Sequence, residues 1–157
     1  MTAEFDSVGR LLDLEEIKRL KARYARLLDS RRWDELRTLF TADAWAATPV
    51  RDYARRPVSE FVDNLAQWET GKGWIHHVLA PELDVQGDDA HGRWAMVSIH
   101  RPHHVPERTG ELVVHDYGEY EEDYRRGADG AWRIASLTWR VWRTDIHAAA
   151  TPFELYS

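Results

Sequence analysis

The chain has 157 residues, a formal net charge of −6 and no cysteine, and 43% of its residues are hydrophobic. This length fits one domain with a single core, and the hydrophobic content argues against a disordered protein. The negative charge argues against a nucleic-acid-binding surface, and the absence of cysteine excludes disulfides, thiolate nucleophiles and cysteine metal ligands. The segment Met1–Arg10 has no long apolar run, so we expect a cytoplasmic protein without signal peptide or membrane span.

The first half of the chain has the periodicity of helices. Apolar residues at three- and four-residue steps predict a first helix over about Leu14–Leu28. A shorter helix is predicted over Trp33–Phe40, followed by a turn at Thr41–Asp43 and a short strand over Ala44–Thr48. A third helix is predicted over Val58–Trp68, which ends at a glycine-rich segment.

The second half has the pattern of four long strands. We predict them over Trp74–Val85, Ala90–Arg101, Leu112–Arg126 and Trp132–Arg143, with turn signals between them. Because strands joined by short turns pair with their neighbours, the sheet should be mostly antiparallel and strongly curved. Helices followed by such a meander indicate an α+β fold, in which the sheet wraps around three helices as a cone. We expect the ligand at its open mouth.

Asp29 and His77 are the leading candidates for chemistry. An aspartate at the C-terminal end of a helix opposes the helix dipole, so stability alone does not favour it there. A histidine that opens an apolar strand is a possible base. If the fold brings the two together, Asp29 would hold one imidazole nitrogen of His77 while the other takes a proton. The structural alternative is that Asp29 caps the next helix and His77 is a core histidine.

Aromatic residues and further histidines are expected around this pair. Eight tryptophans suit either a filled core or a cavity for flat, apolar ligands. Tyr24 lies on the apolar face of the first helix, where its hydroxyl would either bind a substrate oxygen or be satisfied in the core. His103 is a candidate acid for the leaving group, and His100 is an equivalent candidate of opposite strand parity.

No metal or cofactor is expected. The doublets His76–His77 and His103–His104 split across two faces wherever they lie in strands, and no three-ligand motif is present. No glycine-rich nucleotide or phosphate loop occurs either. Near the C-terminus, Arg140, Trp142 and Arg143 border the pocket or, as we prefer, form a subunit contact.

The order of these motifs resembles the SnoaL-like branch of the nuclear-transport-factor-two-like superfamily, over about residues 13–143. Within it the chain looks most like dehydratase and dehydrohalogenase members: scytalone dehydratase, bile-acid 7α-dehydratase and lindane dehydrochlorinase. The residues that carry the resemblance are Tyr24, Asp29, Trp33-Asp34, Phe40, Asp43, His76-His77 and Gly130–Ile134. The resemblance implies that Asp29 and His77 form the Asp–His dyad of those enzymes, with Tyr24 beside them and His103 as a second histidine.

The polar residues of scytalone dehydratase are not all present. A tyrosine beside its aspartate corresponds to Leu28, and a second tyrosine that helps to bind water corresponds to about Thr48. Family position also favours Tyr120 over His115 as a pocket residue. The predicted substrate-binding residues are therefore Trp45, Thr48, Trp94 and Tyr120.

The predicted function is a cofactor-independent lyase of the dehydratase type, acting on a small hydrophobic or aromatic hydroxylated carbonyl compound. The near alternative is isomerisation or ring closure on the same dyad, as in polyketide cyclases. The alternative from another class is a non-catalytic ligand-binding or assembly subunit. We expect one domain over residues 1–157 with a tail from about residue 144, and a homo-oligomer, with a trimer favoured over a dimer. We expect no nucleic-acid or membrane partner.

Overall fold

The computed structural model describes residues 2–49, 52–68, 74–100 and 112–148, with the backbone alone for residues 2–6. In these ranges no helix is long and apolar enough to cross a membrane. The helices are α1 (Thr2–Asp29), α2 (Trp33–Arg37) and α3 (Val58–Trp68). The strands are β1 (Phe40–Ala47), β2 (Arg56–Pro57), β3 (Ile75–Gln86), β4 (Asp89–His100), β5 (Leu112–Arg126) and β6 (Trp132–Ala148).

The strands form one open, six-stranded sheet in the order β2-β1-β6-β5-β4-β3. All neighbours are antiparallel except β1 and β6, which are parallel. The predicted α+β fold with a curved, mostly antiparallel sheet is therefore confirmed. The core lies between the concave face of the sheet and the helices, and its most buried apolar members include Ile17, Leu28, Leu36, Val62, Met96, Ile134 and Leu137.

Three predicted boundaries in the first half are wrong, and the first is the start of α1, which lies at Thr2 rather than near Leu14. Helix α2 ends at Arg37, where Thr38 closes it by donating a hydrogen bond from Oγ1 to the carbonyl of Glu35. Phe40 is not helical but starts β1, because it pairs with Ile134 of β6. The predicted turn at 41–43 is instead an irregular part of β1, where the register shifts between Phe40 and Trp45.

A bulge in β3 sets which side chains enter the cone. The register with β4 shifts by one residue within Leu79–Glu82. Pro81 lies in this interval and has no backbone N–H to donate, and Ala80 takes a positive φ of 44°. One extra residue reverses the alternation of side chains along the strand. After the bulge the core-facing residue is the odd-numbered Val85, whereas before the bulge it is the even-numbered His76.

Candidate active site

Asp29, the last residue of α1, contacts His76, the second residue of β3. Its Oδ1 lies 2.6 Å from Nδ1 of the His76 ring. The backbone N–H of His76 donates to the same carboxylate, with distances of 3.2 and 3.0 Å to Oδ1 and Oδ2. The side chain of His76 is 2% exposed and that of Asp29 27%. The carboxylate therefore fixes Nδ1 as the donor and leaves Nε2 as the nitrogen that can meet a ligand.

The prediction that His77 is the partner of Asp29 is wrong. His77 is exposed and lies opposite Val97, whereas His76 lies opposite the buried Ser98. Successive side chains of a strand point to opposite faces, so only one histidine of the doublet can face α1. His76, rather than His77, therefore stands in the position predicted for the partner of Asp29.

Tyr24 and Tyr120 pack beside the Asp29 carboxylate. Their rings meet edge to face, with centroids 5.9 Å apart, and both side chains are buried. Burial raises the pKa of Tyr24 well above its ordinary value, and the neighbouring Tyr120, Glu122 and Asp29 act in the same direction. The pKa of Tyr120 is raised by the same kind of burial and by Glu122 and Asp29. Both phenols are therefore neutral, and their hydroxyls share a hydrogen bond with each other.

A buried ion pair lies beneath these rings. Lys21 and Glu122 are fully buried and bonded to each other. The Lys21 ammonium stands 4.2 Å from the centroid of Tyr24 and 3.6 Å from that of Tyr120. Burial lowers the pKa of Lys21, and the charge of Glu122 opposes that shift. The pair anchors α1 to β5 directly below the candidate site.

Trp94, predicted to bind substrate, is part of this buried network. Its Nε1–H donates to the hydroxyl of Tyr124 at 2.7 Å, and Tyr124 in turn donates to Glu122. Trp94 and Tyr120 are paired across β4 and β5. The indole N–H of Trp94 is thus already satisfied, and its place is in the core next to Tyr120.

Trp74 covers the other side of His76. Its ring centroid lies 5.4 Å from that of His76, 4.8 Å from that of His100 and 6.4 Å from that of Trp139. Burial lowers the pKa of His100, and His76 adds to this while Asp116 opposes it. His100 therefore faces inward, and His103 lies outside the described residues.

Trp45 and Thr48 lie away from the Asp29–His76 pair. Trp45 alternates with the core residues Ala44 and Ala46 and faces the opposite side of β1. There the guanidinium carbon of Arg55 lies 4.1 Å from the centroid of the Trp45 ring. Trp45 also lines a surface cavity of about 240 Å³, together with Arg140. The carbonyl of Thr48 accepts a hydrogen bond from the N–H of Tyr53 in the turn after β1. The prediction that Trp45 lines the same pocket as the dyad is wrong.

The outer face of the sheet carries the remaining candidates. His115 lies there with His147, their ring centroids 5.4 Å apart. Trp142 is 65% exposed, and Arg143 stacks on Tyr117 at 4.4 Å. A subunit contact through Arg140, Trp142 and Arg143 stays a prediction.

Several site residues were not predicted. They are buried polar residues on otherwise apolar faces of a helix or strand, namely Lys21, Glu122, Ser98 and Asp116. A polar residue at an apolar position of the periodic pattern is the sequence signal that points to such residues. Within the described part of the chain, no three histidine, aspartate or glutamate side chains are arranged to hold a metal ion.

Comparison with known proteins places the chain in a family. It resembles the solved structure of a putative scytalone dehydratase from Novosphingobium aromaticivorans DSM 12444, with 22% identity, 96% of this chain and 99% of that one covered, and a TM-score of 0.73. It also resembles a hexachlorocyclohexane dehydrochlorinase, LinA-type3, from Novosphingobium barchaimii LL02, with 18% identity, coverages of 93% and 99%, and a TM-score of 0.75. A third similar structure, a protein of unknown function from Mycobacterium tuberculosis, has 22% identity, coverages of 87% and 76%, and a TM-score of 0.71.

These identities are low, so the three structures show a shared fold. A search of curated proteins gave no match. The model of the SnoaL-like domain matches residues 9–138, which is most of the chain. The protein therefore belongs to the SnoaL-like domain family.

Proposed function

We propose that the protein is a cofactor-independent lyase that removes water from a small hydrophobic or aromatic β-hydroxy carbonyl compound. The observation that carries the proposal is the contact of His76 with Asp29 on the concave face of the sheet. Nδ1 of His76 lies 2.6 Å from Oδ1 of Asp29. A histidine held in one tautomer by a carboxylate is suited to general-base catalysis.

The step begins with Nε2 of His76, which takes the proton from the carbon between the carbonyl and the hydroxyl-bearing carbon. The electron pair of that C–H bond becomes the new carbon–carbon double bond. The bond to the leaving hydroxyl breaks with its electron pair, and the His76 imidazolium returns its proton to the leaving oxygen, which departs as water and leaves the neutral imidazole. Asp29 stabilises the imidazolium through the hydrogen bond it already accepts. The hydrogen-bonded pair of Tyr24 and Tyr120, kept neutral by burial, would donate one hydrogen bond to an oxygen of the substrate.

Two further observations support this reaction class. The putative scytalone dehydratase and the hexachlorocyclohexane dehydrochlorinase, which share this fold, are named for the removal of water and of hydrogen chloride. The aromatic rings near the pair, Trp74 beside His76 and Tyr24 in the adjoining core, suit a flat apolar substrate.

The test compares two adjacent histidines. The probe is 3-hydroxy-1-phenylbutan-1-one, the aldol product of acetophenone and acetaldehyde, whose dehydration gives a conjugated enone that is followed by its ultraviolet absorbance. His76→Gln should lower kcat/KM by about 10²–10⁴-fold, because the base is lost. His77→Gln is the matched control, since His77 lies on the outer face, and should leave kcat/KM unchanged.

Proton nuclear magnetic resonance in heavy water separates the alternatives. Deuterium that enters the probe without loss of water would indicate proton abstraction alone and favour an isomerase or cyclase. Neither exchange nor dehydration by the wild type would favour a binding or assembly subunit. Equal activity of His76→Gln and the wild type would remove His76 from the mechanism.

A further inference from the structure

A row of polar side chains crosses the concave face of the sheet next to His76. His76 of β3 lies opposite Ser98 of β4, Ser98 lies opposite Asp116 of β5, and Asp116 lies opposite Thr144 of β6. Directly opposed residues bring their Cβ atoms to about 4.5–5.5 Å. The row therefore extends the Asp29–His76 pair across four strands.

Only the ends of this row are satisfied by hydrogen bonds. Asp29 holds His76 at one end, and Oγ1 of Thr144 donates to Oδ1 of Asp116 at 2.6 Å at the other. Ser98 stands between them, is 1% exposed, and its Oγ has no partner among the described residues. A buried hydroxyl without a partner costs free energy, so its presence calls for an explanation other than stability.

Two more buried nitrogens have no hydrogen-bond partner among the described residues. They are Nδ1 of His100 and Nε1 of Trp139. Nδ1 of His100 lies 3.7 Å from Oδ2 of Asp116, which is beyond hydrogen-bond length. The rings of His100 and Trp139 lie on two sides of Trp74, at 4.8 and 6.4 Å. Ser98 lies two residues before His100 on the same face of β4, and the rings of His100 and Trp139 both lie near Trp74.

We propose that Ser98, His100 and Trp139 form a polar subsite that binds the carbonyl oxygen of an aryl ketone while its carbon skeleton lies next to His76. This inference rests on the proposed lyase function and specifies its substrate class. The Trp139 N–H is a donor only and the Ser98 hydroxyl can donate, so the two match the two lone pairs of a carbonyl oxygen. His100, kept neutral by burial, adds a hydrogen bond without adding a charge.

The subsite would act in the transition state. When Nε2 of His76 takes the α-proton, the electron pair of the broken C–H bond flows toward the carbonyl and its oxygen gains negative charge. Donors fixed around that oxygen stabilise the charge and need no reorganisation.

The test measures binding, with two probes of the same shape. Acetophenone has a carbonyl oxygen where α-methylstyrene has a CH₂ group. We expect the wild type to bind acetophenone about five- to tenfold more tightly, as hydrogen bonds of this kind imply. Nuclear magnetic resonance titration gives both dissociation constants, and the indole N–H signal of Trp139, assigned with Trp139→Phe, should shift with acetophenone alone.

The variants locate the preference. Ser98→Ala and Trp139→Phe should each lower the ratio of the two dissociation constants by about two- to fivefold. Ser136→Ala is the matched control, since Ser136 is also buried but bonds to Asp123 away from the subsite, and it should keep the ratio. Equal binding of the two probes, binding of neither, or an unchanged ratio in Ser98→Ala and Trp139→Phe would overturn the proposal.

The same titration separates this inference from the lyase function. His76→Gln should keep the preference for acetophenone even though it stops turnover. If the wild type prefers acetophenone but does not dehydrate the aldol probe, the result would support the subsite and contradict the lyase function. If the wild type dehydrates the aldol probe but binds both ligands equally, the result would support the lyase function and contradict the subsite.

Discussion

Asp29 binds His76 twice, once at the imidazole Nδ1 and once at the backbone N–H. The first contact sets the tautomer of the ring, and the second ties the start of β3 to the end of α1. Because Asp29 is the last residue of its helix, the carboxylate faces the negative end of the α1 dipole. The two hydrogen bonds offset this repulsion, which explains an aspartate at a position that helix stability disfavours.

The double contact predicts that Asp29→Asn and Asp29→Ala differ. Either substitution should lower kcat with the aldol probe by about 10²–10⁴-fold, because the imidazolium loses its carboxylate. Asp29→Asn retains a carbonyl oxygen that can accept from the His76 backbone, whereas Asp29→Ala retains none. Amide hydrogen exchange should therefore be fastest at His76 in Asp29→Ala. Asp34→Asn, on the exposed face of α2, is the control, and full activity of Asp29→Ala would refute the role of Asp29.

The choice of histidine shows where sequence reasoning reached its limit. If β3 were regular, the register set by the pairing of Gln86 with Asp89 would place His77, not His76, opposite Ser98. The bulge adds one residue to β3 and exchanges the two histidines. Pro81 was the available signal, because a proline inside a strand is confined to edges and bulges.

Other parts of the fold followed directly from the pattern of residues. The four long strands and the third helix are set by local alternation and turn signals, which need no knowledge of the rest of the chain. The Lys21–Glu122 pair could not be found this way, since the two residues are 101 positions apart and only the tertiary fold buries them together. The orientation of Trp45 likewise depends on the irregular register of β1.

The buried Lys21–Glu122 pair predicts a large asymmetry between single and double substitutions. Lys21→Met leaves the Glu122 carboxylate buried without a counter-charge and should lower the free energy of unfolding by about 3–5 kcal/mol. Lys21→Met combined with Glu122→Gln should lower it by less, because no isolated charge remains and the glutamine can still accept from Tyr124. Urea denaturation measures both.

The control for this prediction is an exposed pair on the same helix. Lys18 and Glu15 are bonded at 2.8 Å, with side chains 44% and 56% exposed. Lys18→Met should therefore change the free energy of unfolding by less than about 1 kcal/mol. A loss in Lys21→Met as small as that in Lys18→Met would contradict a buried charge pair.

His100 predicts a loss of stability in mild acid. Burial lowers its pKa in the folded state, with His76 acting in the same direction and Asp116 against it. Between the lowered pKa and the unfolded value of about 6.5, the unfolded chain binds a proton that the folded protein does not. Stability therefore rises with pH through this window, and the contribution of His100 is lost as the pH falls below about 6.5.

Comparison of the wild type with His100→Gln isolates this effect. As the pH falls from neutral to mildly acid values, the free energy of unfolding should decrease more for the wild type than for His100→Gln. Denaturant titrations at several pH values give that difference directly. A difference that is constant with pH, or that favours the wild type more strongly in acid, would show that His100 is not held neutral.

Ser98 predicts a conflict between stability and binding. Its hydroxyl is buried and has no hydrogen-bond partner among the described residues, and an unsatisfied polar group of this kind costs about 1–3 kcal/mol. Ser98→Ala removes the hydroxyl and leaves a cavity no larger than one oxygen atom, so the free energy of unfolding should rise by about 1 kcal/mol. Ser136→Ala breaks a 2.7 Å hydrogen bond to Asp123 and should lower it. Because the same Ser98→Ala should weaken acetophenone binding, a gain in stability with a loss of affinity would show that the serine serves the ligand rather than the fold. A loss of stability in Ser98→Ala would mean that the hydroxyl is satisfied within the protein.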